Sequence, residues 1–146
     1  MVGILLVSHG GFAKEIVASS TMIAGELKQS IALSLNPGDS ADVFGEQIHA
    51  SLKELDTGDG VLVLTDIMGG TPYNRSMAIG QAYGLNVRVV VGMNMPMIMV
   101  MNLERNEHTT LDELVKLATN TARDSIRSFE RPQSIAVTDG DGCEED

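Results

Sequence analysis

The chain has 146 residues, the size of one ordinary domain, and its 43% apolar and 21% charged residues suffice to bury a core. Its formal charge is −10, but five of the acids lie in the last eight positions, leaving residues 1–138 with ten basic and fifteen acidic side chains. That mild acidity, with no Trp and five aromatics, excludes the basic, base-stacking surface of a nucleic-acid binder.

Cys143 stands alone and forms no internal disulfide, and three scattered histidines make no zinc pattern. No apolar run approaches the roughly 20 residues of a membrane span. The apolar start, residues 2–7, has no basic segment before it and no small-residue cleavage site after it, unlike a secretory signal. A soluble, cytoplasmic single domain is expected.

Residues 2–8 (VGILLVS) form a short apolar run ending in His9-Gly10-Gly11, read as a buried strand and a turn. Phe12, Ile16, Ser19/Ser20 and Ile23 then recur at helical spacing until Gly25. Residues 31–35 are a weaker strand closed by Asn36-Pro37-Gly38. Ser40 is placed to cap a helix to residue 55, with Val43, Phe44, Ile48 and Leu52 on one face. Residues 60–65 (GVLVLT) are a second fully apolar strand, followed by Asp66-Ile67-Met68-Gly69-Gly70-Thr71-Pro72. Pro72 suits the first turn of a helix to Tyr83, with Gly84 as its stop.

Residues 87–91 are the fourth strand. Met93, Met95, Met97, Met99 and Met101 alternate, but Pro96 argues against a strand, so the segment reads as a loop entering a short helix with methionine as core filler. Thr109 or Thr110 opens the last helix, because Thr110-x-x-Glu113 has capping-box spacing; Leu111, Leu114, Leu117 and Ala118 are its apolar positions. A β-like stretch at 134–138 precedes an acidic, Gly-rich tail expected to be disordered.

Strands apolar on both faces, alternating with helices, predict a three-layer α/β/α fold. Its mainly parallel sheet has four strands, and 134–138 supplies a candidate extra edge strand. No internal repeat or second domain is visible. Residues 1–130 form the domain and 131–146 an extension.

In such a sheet ligands bind beyond the carboxyl ends of the strands. His9 follows the first strand, Asp66 and Gly69-Gly70-Thr71 the third, and Gly92-Met93-Asn94 the fourth. Right-handed crossovers and a reversal of strand order make the first and third strands neighbours, bringing His9 and Asp66 to one edge. A carboxylate on one ring nitrogen fixes the tautomer and leaves the other nitrogen as a base, a metal ligand or a nucleophile. The Gly-Gly-Thr-Pro segment argues for the nucleophile: unpaired N–H groups at a helix start favour an anion, glycines let backbone approach it, and Thr71 adds a hydroxyl. A nucleophilic imidazole beside an anion hole suggests phosphoryl transfer through a phosphohistidine.

Plainer roles compete. A histidine can serve only its own hydrogen bonds, Asp66 can be a turn aspartate, and Gly69-Gly70 a simple tight turn lacking the Lys of a phosphate loop. No G-x-S-x-G elbow activates Ser8. His49 and His108 read as solvated surface.

The segment Gly3-Ile4-Leu5-Leu6-Val7-Ser8-His9-Gly10-Gly11-Phe12-Ala13 resembles the start of mannose-class IIA components of the bacterial phosphoenolpyruvate-dependent sugar phosphotransferase system. Gly60-Val61-Leu62-Val63-Leu64-Thr65-Asp66-Ile67-Met68-Gly69-Gly70-Thr71-Pro72-Tyr73-Asn74 resembles that family too, and Gly92-Met93-Asn94-Met95-Pro96-Met97 is similar to its G-x-N-x-P-M segment. The likeness runs from residue 1 to about 130.

The resemblance implies that His9 is phosphorylated and that Asp66 orients it. Gly10, Gly69, Gly70 and Thr71 would hold the phosphoryl group, with Met68 and Asn94 in the pocket. The donor would be the phosphocarrier HPr and the acceptor a IIB component, with the membrane permease served only indirectly. No metal, nucleotide or other cofactor is implied, since the donor is already activated. Family members are commonly homodimers in which a C-terminal segment can cross to the partner. Two departures stand out. Met68 occupies a position where some relatives carry an aromatic residue, and the chain ends without a fused IIB domain, so the expected acceptor is a separate protein. The acidic tail matches nothing in the family. The alternatives are the phosphotransfer subunit of a dihydroxyacetone kinase and a non-catalytic anion-binding regulatory module.

Overall fold

A computed structural model describes residues 1–131; the edge strand expected at 134–138 and the tail expected to be disordered lie outside them. The elements alternate as β1 (Gly3–His9), α1 (Phe12–Ala24), β2 (Ser30–Leu35), α2 (Ala41–Leu55), β3 (Val61–Thr65), α3 (Thr71–Ala82) and β4 (Val87–Val91), followed by α4 (Met95–Glu104) and α5 (Leu111–Asp124). All three strand pairings are parallel, in the order β2-β1-β3-β4. The three-layer expectation holds, and β1 and β3 are neighbours.

Alternation along β1 divides the core. Val2, Ile4 and Leu6, with Leu62 and Leu64 of β3, pack under α1, α4 and α5. Leu5 and Val7, with Val61 and Val63, pack under Phe44, Ile48, Leu52 and Leu55 of α2, and Ile79 of α3 joins them. The chain steps from β1 to β2 in one direction and then back across to β3 and β4. Right-handed crossovers therefore put α1 on one face and α2 and α3 on the other. The reversal opens a crevice between the carboxyl ends of β1 and β3.

The helix ends follow local chemistry. The Ser40 side chain accepts the Val43 N–H, and Thr110 and Glu113 form the complete capping box. Pro72 and Pro96 occupy first-turn positions of α3 and α4.

Three expected faces shift. On α1 the buried residues are Ala13, Ile16 and Ser20, while Phe12 and Ile23 are exposed: the stripe begins one residue later than their spacing suggests. On α2, Val43 lies off the 44-48-52-55 stripe and is exposed. The methionines are core filler in a loop that enters a short helix, as their pattern with Pro96 suggests, but their burial period differs. Met93, Met97 and Met101, four residues apart, are buried, whereas Met95 and Met99 flank them half-exposed. An apparent two-residue period is thus a four-residue one with interleaved partners.

Arg105 ties the opposite end of the sheet together. Its buried guanidinium donates to the Val2 carbonyl at 2.6 Å and to the Lys28 carbonyl, and burial lowers its pKa. Arg105→Ala leaves both carbonyls without this donor, at a cost of about 2–4 kcal/mol. A lower denaturation midpoint in urea is the expected readout; an unchanged midpoint would mean that water replaces the guanidinium.

Candidate functional site

Strand β1 delivers His9 to the crevice as its last residue, and Asp66 follows the last residue of β3. The His9 ring Nδ1 lies 2.8 Å from Asp66 Oδ2, and the same oxygen accepts the His9 backbone N–H at 2.9 Å. Oδ1 accepts the Ile67 N–H at 2.9 Å. Burial works to raise the Asp66 pKa, but the bonds from the His9 N–H, the His9 ring and the Ile67 N–H outweigh it and hold the carboxyl below its ordinary value. An ionised carboxylate only accepts, so Nδ1 carries a proton, and in the neutral ring the lone pair is left on Nε2. The His9 side chain is 45% exposed and Asp66 14%: the carboxylate is sheltered and the imidazole is open to solvent.

Two glycine turns shape the rest. Gly10, at φ +56°, donates its N–H to the Leu35 carbonyl at 2.7 Å and turns the chain into α1. Across the crevice Gly70 lies so close that a Cβ there would sit 2.6 Å from His9 Cε1 and 3.3 Å from Nε2. Gly70 is also the N-cap of α3, with no side-chain cap and no acidic residue in the helix's first turn. The positive end of α3, with uncommitted N–H groups, therefore abuts the imidazole and favours an anion. Thr71 opens α3 half-buried, its hydroxyl bonded to no other described residue.

Among the described residues no group of three His, Cys, Asp or Glu comes together as a metal site. No helix among them is long and apolar enough to cross a membrane.

The EIIA-man family, described as "PTS system fructose IIA component", matches residues 3–119. The chain belongs to this family. It is 31% identical over 128 residues to the mannose-specific EIIAB component of the phosphotransferase system of Escherichia coli K12, covering 88% of this chain and 39% of that protein. It is 32% identical over 115 residues to the fructose-specific EIIA component of Bacillus subtilis, covering 79% of this chain and 77% of the relative. The mannose/sorbose-specific IIA subunit from Enterococcus faecalis superposes with a TM-score of 0.79 at 32% identity, over 90% of this chain and 97% of that structure. The chain thus spans about two-fifths of the length of the EIIAB relative and 97% of the IIA subunit structure.

Of the residues singled out in this IIA sequence, His9, Asp66, Gly10, Gly69, Gly70 and Thr71 converge on the crevice. Met68 follows Asp66 in the turn before α3, 75% exposed next to the exposed Ile67, and Phe12, three residues after His9, is exposed as well. Asn94 serves the scaffold instead of the pocket. Its side chain accepts the Met97 N–H as the cap of α4 and donates to the Ala122 carbonyl and Ser125 Oγ. It clamps α4 to the end of α5. His49 is half-buried, stacked on Tyr83 at 3.8 Å between ring centroids, whereas His108 is exposed.

Ser8 is a brace and not a nucleophile. Fully buried, its Oγ accepts the Ala13 N–H at 2.7 Å and faces the Gly10 carbonyl at 3.3 Å. It caps α1 where Gly11 has no side chain to do so. A serine five residues before the N–H it satisfies lies outside ordinary capping spacing, so the sequence carries little signal for it.

Proposed function

We propose that this IIA component carries a phosphoryl group on His9 Nε2, taking it from phospho-HPr and passing it to a IIB component in the cytoplasm. The observation that carries the reading is the 2.8 Å contact between His9 Nδ1 and Asp66, which commits one ring nitrogen and frees the other. The Nε2 lone pair attacks phosphorus, the P–N bond of the donor histidine breaks, and the donor imidazole leaves with that electron pair. The phosphorylated ring of His9, still protonated at Nδ1, is cationic and faces the Asp66 carboxylate. N–H groups at the start of α3 and the Thr71 hydroxyl receive the phosphoryl oxygens. The second transfer repeats the same exchange in reverse roles, with IIB as acceptor.

The exposed apolar lip of Phe12, Ile67 and Met68 gives donor and acceptor a common place to dock in turn. The edge of β4 that pairs with no other described strand, beside Met77 and Leu85, supports a homodimer. The named relatives are sugar-system components, which does not favour the dihydroxyacetone kinase alternative.

The deciding experiment is incubation with phosphoenolpyruvate, enzyme I and HPr, followed by mass spectrometry. The expected result is a gain of one phosphoryl group at His9, labile in acid and stable in base. No gain would support the anion-binding module instead, and an acid-stable label would point to a hydroxyl.

A further inference from the structure

Asn74 makes the only side-chain bond from α3 to the glycine turn among the described residues. Its Nδ2 donates to the Gly69 carbonyl at 2.9 Å, and its backbone N–H donates to the Gly70 carbonyl at 2.9 Å. One residue therefore holds both carbonyls of the glycine pair. The Gly69 end of the pair is open: it sits exposed at φ +78° with nothing within 4 Å of where a Cβ would be. Met68 and Ile67 before it are exposed as well.

The consequence lies on the other side of each peptide. In a trans peptide the C=O of one residue and the N–H of the next point in opposite directions. Anchoring the Gly69 carbonyl therefore aims the Gly70 N–H, and anchoring the Gly70 carbonyl aims the Thr71 N–H. Both N–H groups belong to the turn that presses on His9 Cε1 and Nε2. The backbone anchor is ordinary helix geometry and survives substitution by alanine or aspartate. The side-chain anchor is specific to Asn74, because it requires a short side chain with a donor.

We propose that Asn74 is a positioning residue for the His9 transfer: its side chain holds the Gly69–Gly70 peptide so that the Gly70 N–H meets the phosphoryl oxygens. Asn74 itself is exposed and touches neither the histidine nor the phosphoryl group. The inference rests on the reading of His9 as the phosphoryl carrier.

The test compares wild type, Asn74→Ala and Asn74→Asp for phosphorylation by phospho-HPr, with backbone amide NMR shifts before and after. Losing an outer-shell partner of this kind costs about 10- to 100-fold. The expectation is a fall of that size in kcat with KM for phospho-HPr unchanged, because the docking lip is untouched. In wild type the Gly70 amide proton should move strongly downfield on phosphorylation, and in Asn74→Ala that movement should shrink, which a purely structural role would not produce. Asn74→Asp, isosteric but without a donor, keeps the test open if the alanine variant folds poorly, since its Gly70 amide response should shrink as well. A kcat within twofold of wild type in Asn74→Ala, or an undiminished Gly70 response in either variant, overturns the proposal. Failure of wild type itself to accept a phosphoryl group would instead overturn the reading of His9.

Discussion

Asp66→Ala is expected to slow phosphorylation of His9 by about 10²-fold or more while the protein stays folded. When Nε2 takes the phosphoryl group, a full positive charge develops on a ring whose Nδ1 lies 2.8 Å from the carboxylate. Two unit charges about 4 Å apart are worth about 4 kcal/mol at an effective dielectric near 20. The His9 side chain is 45% exposed, and solvent screening reduces that figure to about 2–3 kcal/mol. Each ~1.4 kcal/mol is a factor of ten in rate, so the charge interaction alone accounts for about 30- to 150-fold. The variant also releases the Nδ1 proton from its partner, so either tautomer becomes available and part of the population presents the wrong nitrogen. Stopped-flow or quenched transfer from phospho-HPr reads the rate directly, and a rate within threefold of wild type would remove Asp66 from the chemistry. A second signature appears in acid. The Asp66 pKa is depressed in the folded state, so this carboxylate stabilises the fold fully above the ordinary aspartate value of about 3.9. That contribution disappears as pH falls through the lower folded value. Asp66→Ala lacks this acid-side decline, and its stability relative to wild type should therefore improve on acidification below about pH 4.

The parts of the site that can be read from the chain are those built by local rules or by sheet topology. Strands apolar on both faces call for helices on both sides. The reversal of strand order brings residues 9 and 66 together although 57 positions separate them. Thr110 with Glu113 and Ser40 with Val43 are contacts within one turn, which spacing reveals. What spacing hides depends on partners that only the tertiary fold supplies. Asn94 sits in a motif beside the crevice, yet its amide is spent on the end of α5, 28 residues away. Arg105 binds carbonyls 77 and 103 positions distant. The phase of α1 is ambiguous in the sequence because Phe12 and Ile23 fit the helical period as well as Ala13 and Ser20 do. Only the sheet decides which stripe turns inward, and the surface it leaves out carries Phe12 to the rim beside His9.

Gly70→Ala should reduce phosphoryl acceptance by about 10²-fold or more, with little change in thermal stability. The backbone at Gly70 has φ −76° and ψ 167°, a conformation alanine adopts freely, so the substitution imposes no backbone strain. Its effect is confined to one steric contact: the new methyl lies 2.6 Å from His9 Cε1, where carbon atoms rest at about 3.5–4.0 Å. Relief of the overlap requires the ring and the turn to separate by about 1 Å. If the ring retreats, the Nδ1 contact with Asp66 is lost; if the turn retreats, its N–H groups leave the phosphoryl oxygens. A misplacement of that size costs about 10²-fold in either case. Gly69→Ala provides the contrast. Its Cβ would meet nothing within 4 Å, but at φ +78° it strains the chain, so stability should fall by about 1 kcal/mol with a smaller loss of transfer. Measuring transfer rate and melting temperature for both variants separates the two mechanisms. If Gly70→Ala proved as active as wild type, the glycine turn would be packing beside His9 without taking part in the transfer.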